Sequence, residues 1–173
     1  MRVLVACEFS GVVREAFRKL GHDAWSCDLL ESRDESPYHF VGDVRRALEG
    51  HWDLMIAHPP CTWLCRAQHT NSRRKDRPKI TSVFESQRQH GFEFAMSLYN
   101  APIDRIALEN PLGYLNENWR KYDQLVRPFN FGHPYHKPVC LWLKNLPPLI
   151  SSMIVPGKHK KLDFWSNKRN LDG

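Results

Sequence analysis

Residues Val3 to Asp28 read VLVACEFSGVVREAFRKLGHDAWSCD. Val3-Leu4-Val5-Ala6 is the short apolar run that a strand buried on both faces needs. A turn follows at Glu8-Phe9-Ser10-Gly11. Beyond it, Val12, Val13, Ala16, Phe17 and Leu20 recur at helical spacing, and Gly21 stands where a helix-ending glycine belongs. Asp23-Ala24-Trp25-Ser26-Cys27 then gives a second strand that ends at Asp28. Strand, loop, helix and strand in this order predict a parallel pair joined by a crossover helix.

Working outward, the pattern repeats. A short strand at His39-Phe40-Val41 ends at Asp43, and Asp53-Leu54-Met55-Ile56-Ala57 runs into His58-Pro59-Pro60-Cys61, where two prolines stop strand and helix alike. Phe84, Phe92, Ala95, Met96 and Tyr99 predict a helix over 84–99, which Gly91 weakens. Ile106-Ala107-Leu108 ends at Glu109-Asn110-Pro111, and Val139-Cys140-Leu141-Trp142-Leu143 is a later strand. The expectation is an α/β fold, a mostly parallel sheet covered by helices, with ligands at the carboxyl ends of the strands. One domain over residues 1–150 and a basic tail over 151–173, carrying Lys158, Lys160, Lys161, Lys168 and Arg169, account for the chain. There is no internal repeat.

With 42% hydrophobic, 25% charged and 12% aromatic residues, the 173-residue chain has the composition of a globular protein rather than a disordered one. No run reaches the roughly 18–20 apolar residues of a membrane span, and Glu8 interrupts the N-terminal apolar run too early for a secretory leader, so a cytoplasmic protein is expected. Five cysteines, an odd number without secretory context, are expected as free thiols. The net charge is +6, and the stretch from Arg66 to Lys79 carries +5 of it through Arg66, Arg73, Arg74, Lys75, Arg77 and Lys79 against Asp76. A local cationic run of this kind favours a polyanionic partner.

Chemistry-bearing residues gather at the predicted strand ends. In the first loop, the absent side chain of Gly11 lets backbone amides at a helix start approach a ligand, although a tight turn alone has the same look. Asp28 is placed to hold ribose hydroxyls or to cap a helix, and Asp43 reads equally as a ligand acid or an N-cap. The prolines before Cys61 present a thiol at a strand end, which suits a nucleophile in a cationic neighbourhood; an inert buried cysteine is the plain alternative. His58, Cys61, Cys65 and His69 form a ligand set for zinc by residue type, but lack the usual two separated pairs. Glu109 closes the neighbouring strand, where a carboxyl group beside an apolar wall keeps its proton and hydrogen-bonds a ring nitrogen, or else caps the next segment.

Taken in order, these motifs resemble the cytosine-5 DNA methyltransferase family, over about residues 3 to 143. Phe9-Ser10-Gly11 is similar to the family's Phe-x-Gly-x-Gly cofactor motif, with Val13 at the second glycine. Asp28 and Asp43 resemble its ribose and adenine acids, Pro59-Pro60-Cys61 its Pro-Cys, and Glu109-Asn110 its Glu-Asn. Phe131 to Val139 is similar to its Gly-x-Pro-Gln-x-Arg-x-Arg, with Lys137 at the first arginine and Val139 at the second; Thr62 stands where a glutamine follows the family's Pro-Cys. The resemblance implies a Rossmann-like class I sheet, S-adenosyl-L-methionine as cofactor held by Phe9, Ser10, Gly11, Asp28, Asp43 and Pro59, and Cys61, Glu109 and Lys137 as catalytic residues. It implies DNA as substrate; no metal is expected from the ligand spacing, and no membrane from the lack of a long apolar run. Since thirty residues follow Leu143, where the family inserts a target-recognition region, the chain resembles short phage-type members, with recognition supplied by a protein partner or a second copy. An amino-methyltransferase built on the Pro-Pro motif, an enzyme of free nucleotides, and a binding module without turnover remain open at this point.

Overall fold

The computed structural model describes residues 1–65, 82–135 and 137–156. Its order is β1 (Arg2–Ala6), α1 (Val12–Lys19), β2 (Asp23–Asp28), β3 (His39–Val41), α2 (Val44–Ala47), β4 (Leu54–Ala57), α3 (Ser82–Tyr99), β5 (Arg105–Asn110), α4 (Tyr114–Asn118), β6 (Gln124–Val126) and β7 (Val139–Lys144), with a 3-10 turn at Pro128–Asn130 before β7. The strands form a single sheet in the order β3-β2-β1-β4-β5-β7-β6. β1 pairs in parallel with β2 and β4, as β2 does with β3 and β4 with β5; β7 runs antiparallel to both of its neighbours.

Alternation along the strands divides the core. Leu4, Ala6, Cys27, Met55, Ala57, Ile106 and Leu108 pack on the face covered by α3, against Ala95, Leu98 and the fully buried Trp142. Val3, Ala24 and Leu54 face the other way, against Phe17 of α1. Each fully buried aliphatic side chain contributes on the order of 1.5–3 kcal/mol, so strands apolar on both faces specify a sheet sandwiched between helices. The α3 helix is continuous through Gly91, where a side chain would meet Leu64 at an ordinary contact distance of 3.7 Å.

The predicted strands and the two long helices are present within two residues of their expected bounds. The α4 turn and β6 carry no sequence signal of their own: β6 is three half-buried residues held by pairing to β7. The beginning of the predicted tail is tied down, since Met153 N–H donates to Asn130 O at 3.2 Å, Gly132 N–H to Met153 O at 2.7 Å and Val155 N–H to Phe129 O at 2.9 Å. Its five cations lie outside the described residues. No helix among the described residues is long and apolar enough to cross a membrane.

Candidate active site

The carboxyl ends of β1, β2, β4 and β5 meet along one edge, and the register fixes which residues share it. Ala57 lies opposite Leu108, so the residues that follow, His58 and Glu109, emerge side by side. His58 Nδ1 lies 3.2 Å from Glu109 Oε2. The backbone around them is held from both directions: His58 N–H donates to Ala6 O at 2.9 Å, and Asn110 Nδ2 donates to Pro59 O at 2.9 Å from a nearly fully buried side chain.

After Pro60 the chain makes one helical turn, in which the N–H groups of Leu64 and Cys65 both donate to Cys61 O at 3.0 Å. That turn is docked on the segment after β5 by a bridge between Cys65 and Gly113 and by Tyr114 N–H donating to Leu64 O at 2.7 Å. Cys61 is half-buried, and its thiol is raised above the ordinary range, first by burial and then by Cys65 and Glu109, while the Lys137 ammonium pulls it down. Cys61, Glu109 and Lys137, drawn from three separate stretches of sequence, therefore share one electrostatic neighbourhood.

Next to this group, a cavity of about 240 Å³ is lined by Cys7, Glu8, Phe9, Ser10, Val12, Val13 and His58. The structure changes the reading of the first loop. Glu8 is almost fully buried, and its carboxylate accepts Val13 N–H at 2.8 Å, Arg14 N–H at 3.3 Å and the Ser10 hydroxyl at 2.9 Å. It thereby takes amides at the start of α1 that sequence reading left for a ligand, and places its charge at the positive end of the helix. The space left by Gly11 is filled by protein as well: a Cβ there would lie 2.4 Å from Arg14 Nη2 and 2.7 Å from Asp34 Oδ2. Arg14, fully buried, donates to Ser26 Oγ at 2.7 Å and pairs with Glu15 at 3.0 Å and with Asp34. This clamp, together with Arg33 N–H donating to Phe9 O at 2.9 Å and the Arg33 guanidinium 4.7 Å over the Phe9 ring, ties the β2–β3 loop to the Phe9 turn.

Asp28 and Asp43 end β2 and follow β3. The Asp28 carboxylate accepts Leu30 N–H at 3.0 Å. Asp43 caps α2 by accepting Arg45 N–H at 3.0 Å and pairs with the Arg45 side chain, which holds its carboxyl down at about 2. Burial, followed by the charge of Asp28, raises Cys7 to about 12 and Cys27 to about 11. The edge beside Phe9 is thus acidic. Asp43 also lines a hollow of about 370 Å³ with Phe40, Arg46 and Trp52 on its walls.

Arg66, Arg73, Arg74, Lys75, Arg77 and Lys79, and with them His69 of the candidate zinc set, lie outside the described residues. Sequence reasoning missed two features. Glu8 was legible only as a carboxylate shortly before a helix, and the pairing of His58 with Glu109 depends on a register between segments 51 positions apart.

No family model and no curated protein sequence matches the chain. Solved structures do, two methyltransferases among them. The Dnmt2 methyltransferase of S. pombe aligns with a TM-score of 0.50 and 15% identity, over 86% of this chain and 50% of its own. A prophage-encoded protein of E. coli, described as a DNA modification methyltransferase, aligns with a TM-score of 0.52 and 17% identity, over 90% of this chain and 52% of its own. The sheet is that of these methyltransferases. The chain spans about half the length of either, and the likeness, at such identity, is one of fold.

Proposed function

We propose that the chain is an S-adenosyl-L-methionine-dependent methyltransferase that modifies C5 of cytosine in DNA through covalent attack by Cys61. The observation that carries this reading is the convergence of Cys61, Glu109 and Lys137 at adjoining loops beside the Phe9–Val13 cavity.

The residues present suit the cofactor, because its sulfonium and ammonium groups are cations and the edge is lined by Glu8, Asp28 and Asp43, while Phe9 offers an aromatic face. Bound there, the cofactor supplies an electrophilic methyl group. Pro59, whose carbonyl Asn110 holds, stands between His58 of that cavity and Cys61 in the chain. With Val13 and Arg14 amides already satisfied by Glu8, the loop favours the cationic half of the ligand over its carboxylate.

Cytosine C5 is a poor nucleophile until C6 is attacked. The Cys61 thiol gives its proton to solvent, the thiolate adds to C6, and Glu109 delivers a proton to N3, which makes C5 enamine-like. After C5 has taken the methyl group, solvent takes the C5 proton, the C6–S bond breaks as the C5–C6 double bond re-forms, the thiolate is released, and N3 returns its proton to Glu109. Lys137 opposes the raised thiol and favours the ionised form. A base within a duplex is out of reach, so the nucleotide is flipped out or presented single-stranded.

Incubation with cofactor and an oligonucleotide bearing 5-fluorocytosine tests this reading, because fluorine in place of the C5 proton prevents release. A stable protein–DNA adduct is expected, lost in Cys61→Ala. Cofactor binding without any adduct would select a binding module instead, the second reading, which the raised resting thiol favours.

A further inference from the structure

His58 precedes the paired prolines and faces two sites at once. It lines the 240 Å³ cavity with Phe9 and Val13, and its ring reaches across the β4–β5 boundary to Glu109. Both side chains are mostly covered, His58 with 28% and Glu109 with 23% of the side chain exposed. Within the imidazole the two nitrogens differ. Nδ1 is 3.2 Å from Glu109 Oε2, whereas Nε2 is buried with no hydrogen-bond partner.

That difference selects a tautomer. A proton on Nε2 would be a buried donor with no acceptor, a costlier defect than an unshared lone pair. An imidazolium would leave the same Nε2–H donor buried and unpaired. The neutral ring with its proton on Nδ1 leaves only the lone pair unmatched, and Nδ1–H then donates to Oε2. Oε2 is thereby engaged as an acceptor, and a proton carried by Glu109 resides on Oε1, which has no partner among the described residues.

We propose that His58 is the positioning residue of Glu109: its Nδ1–H holds Oε2 and directs the transferable proton to Oε1, the oxygen offered to the pyrimidine N3. This deepens the methyltransferase reading and rests on it. The ring is well anchored for the task, since Ala6 O holds His58 N–H and Asn110 grips the next carbonyl.

Two measurements on the full chain test it. NMR of the histidine ring nitrogens, with the His58 signals assigned by their loss in His58→Asn, is expected to show a protonated Nδ1 and a bare Nε2; in Glu109→Ala the ring is expected to revert to the Nε2–H form preferred by free imidazoles. A protonated Nε2 in the native protein would overturn the proposal. In parallel, adduct formation on the 5-fluorocytosine oligonucleotide is followed under saturating DNA. His58→Ala is expected to lower the maximal rate by on the order of 100-fold, the effect of a misplaced catalytic group, with half-saturation by DNA unchanged. His58→Asn, whose Nδ2 donates from nearly the same place as Nδ1, is expected to restore most of the rate.

Equal loss in both variants would reduce His58 to a packing role and overturn the proposal, and so would a His58→Ala protein that traps DNA as fast as the native chain. Should the native protein form no adduct while the ring nitrogens behave as described, the covalent methyltransferase reading fails and the hydrogen-bond assignment stands. An adduct that forms at the same rate without His58 sinks the present proposal alone.

Discussion

Cys61 rests in a state that opposes its proposed task. Burial, Cys65 and Glu109 raise its thiol above the ordinary value of about 8.5, and Lys137 alone among the named influences of other side chains lowers it. The thiolate fraction at neutral pH is therefore smaller than for a free cysteine, and it grows as the pH climbs beyond the ordinary range. Alkylation of Cys61 by iodoacetamide, followed by peptide mass mapping, is expected to be slower at pH 7.5 than that of a model thiol and to rise with pH past 9. In Lys137→Met the profile is expected to move to still higher pH, because the one opposing cation among the described residues is gone. A profile unchanged by that substitution would remove Lys137 from the site. Cys7, held at about 12, is expected to stay unmodified throughout, which makes it an internal control.

The crossover unit from β1 to β2 shows which parts of an element were legible. Its strands follow from apolar spacing, since burial on both faces of β1 leaves little choice; the helix lies where the spacing puts it, but Val12 and Leu20 of its apolar stripe are exposed and the fully buried side chain of α1 is Arg14. The loop between them follows from nothing so local. Its order depends on Glu8 reaching amides five and six residues ahead and on Arg14 meeting Asp34 across the β2–β3 loop. Cys61 and Glu109 were readable, on one shared edge, because each follows an apolar run that ends there; the contact of His58 with Glu109 was not, because sheet register is absent from any single stretch. The clamp is testable against a second glycine. Gly11 has φ +75° and Gly21 φ +82°, but an added Cβ strikes Arg14 and Asp34 at the first and meets nothing within 4 Å at the second. Both substitutions to alanine pay for a left-handed backbone, about 1–2 kcal/mol. Gly11→Ala is expected to lower the urea midpoint distinctly more than Gly21→Ala, because the Arg14 guanidinium is fully buried and has no room to retreat. Equal midpoints would show that the clamp yields freely.

Across the whole molecule, the proposed function gives the acidic edge and the cationic stretch different tasks. Glu8, Asp28 and Asp43 line the region proposed for a cationic cofactor, whereas +5 of the +6 net charge falls within Arg66 to Lys79. The described structure places both approaches to that stretch at the site: Cys65, just before it, is bridged to Gly113, and Phe84, just after it, packs edge-on against Trp63 with ring centroids 5.4 Å apart. Under the proposed function, a polyanion held by those cations would enter beside Cys61, and this favours DNA over an isolated base as the proposed substrate. Counterion release makes the claim quantitative. Six duplex phosphate contacts correspond to a log–log slope of affinity against salt of roughly −5, at about −0.9 per contact. Anisotropy titrations of a labelled duplex over a series of sodium chloride concentrations are expected to give a steep negative slope for the native chain. Replacing all six cations by glutamine is expected to flatten it by roughly 5, while S-adenosyl-L-methionine binding, which depends on the opposite charge, stays intact. If the slope survives that replacement, phosphate is held elsewhere; if cofactor binding falls with it, the two charged regions are not separate and the assignment of their tasks is wrong.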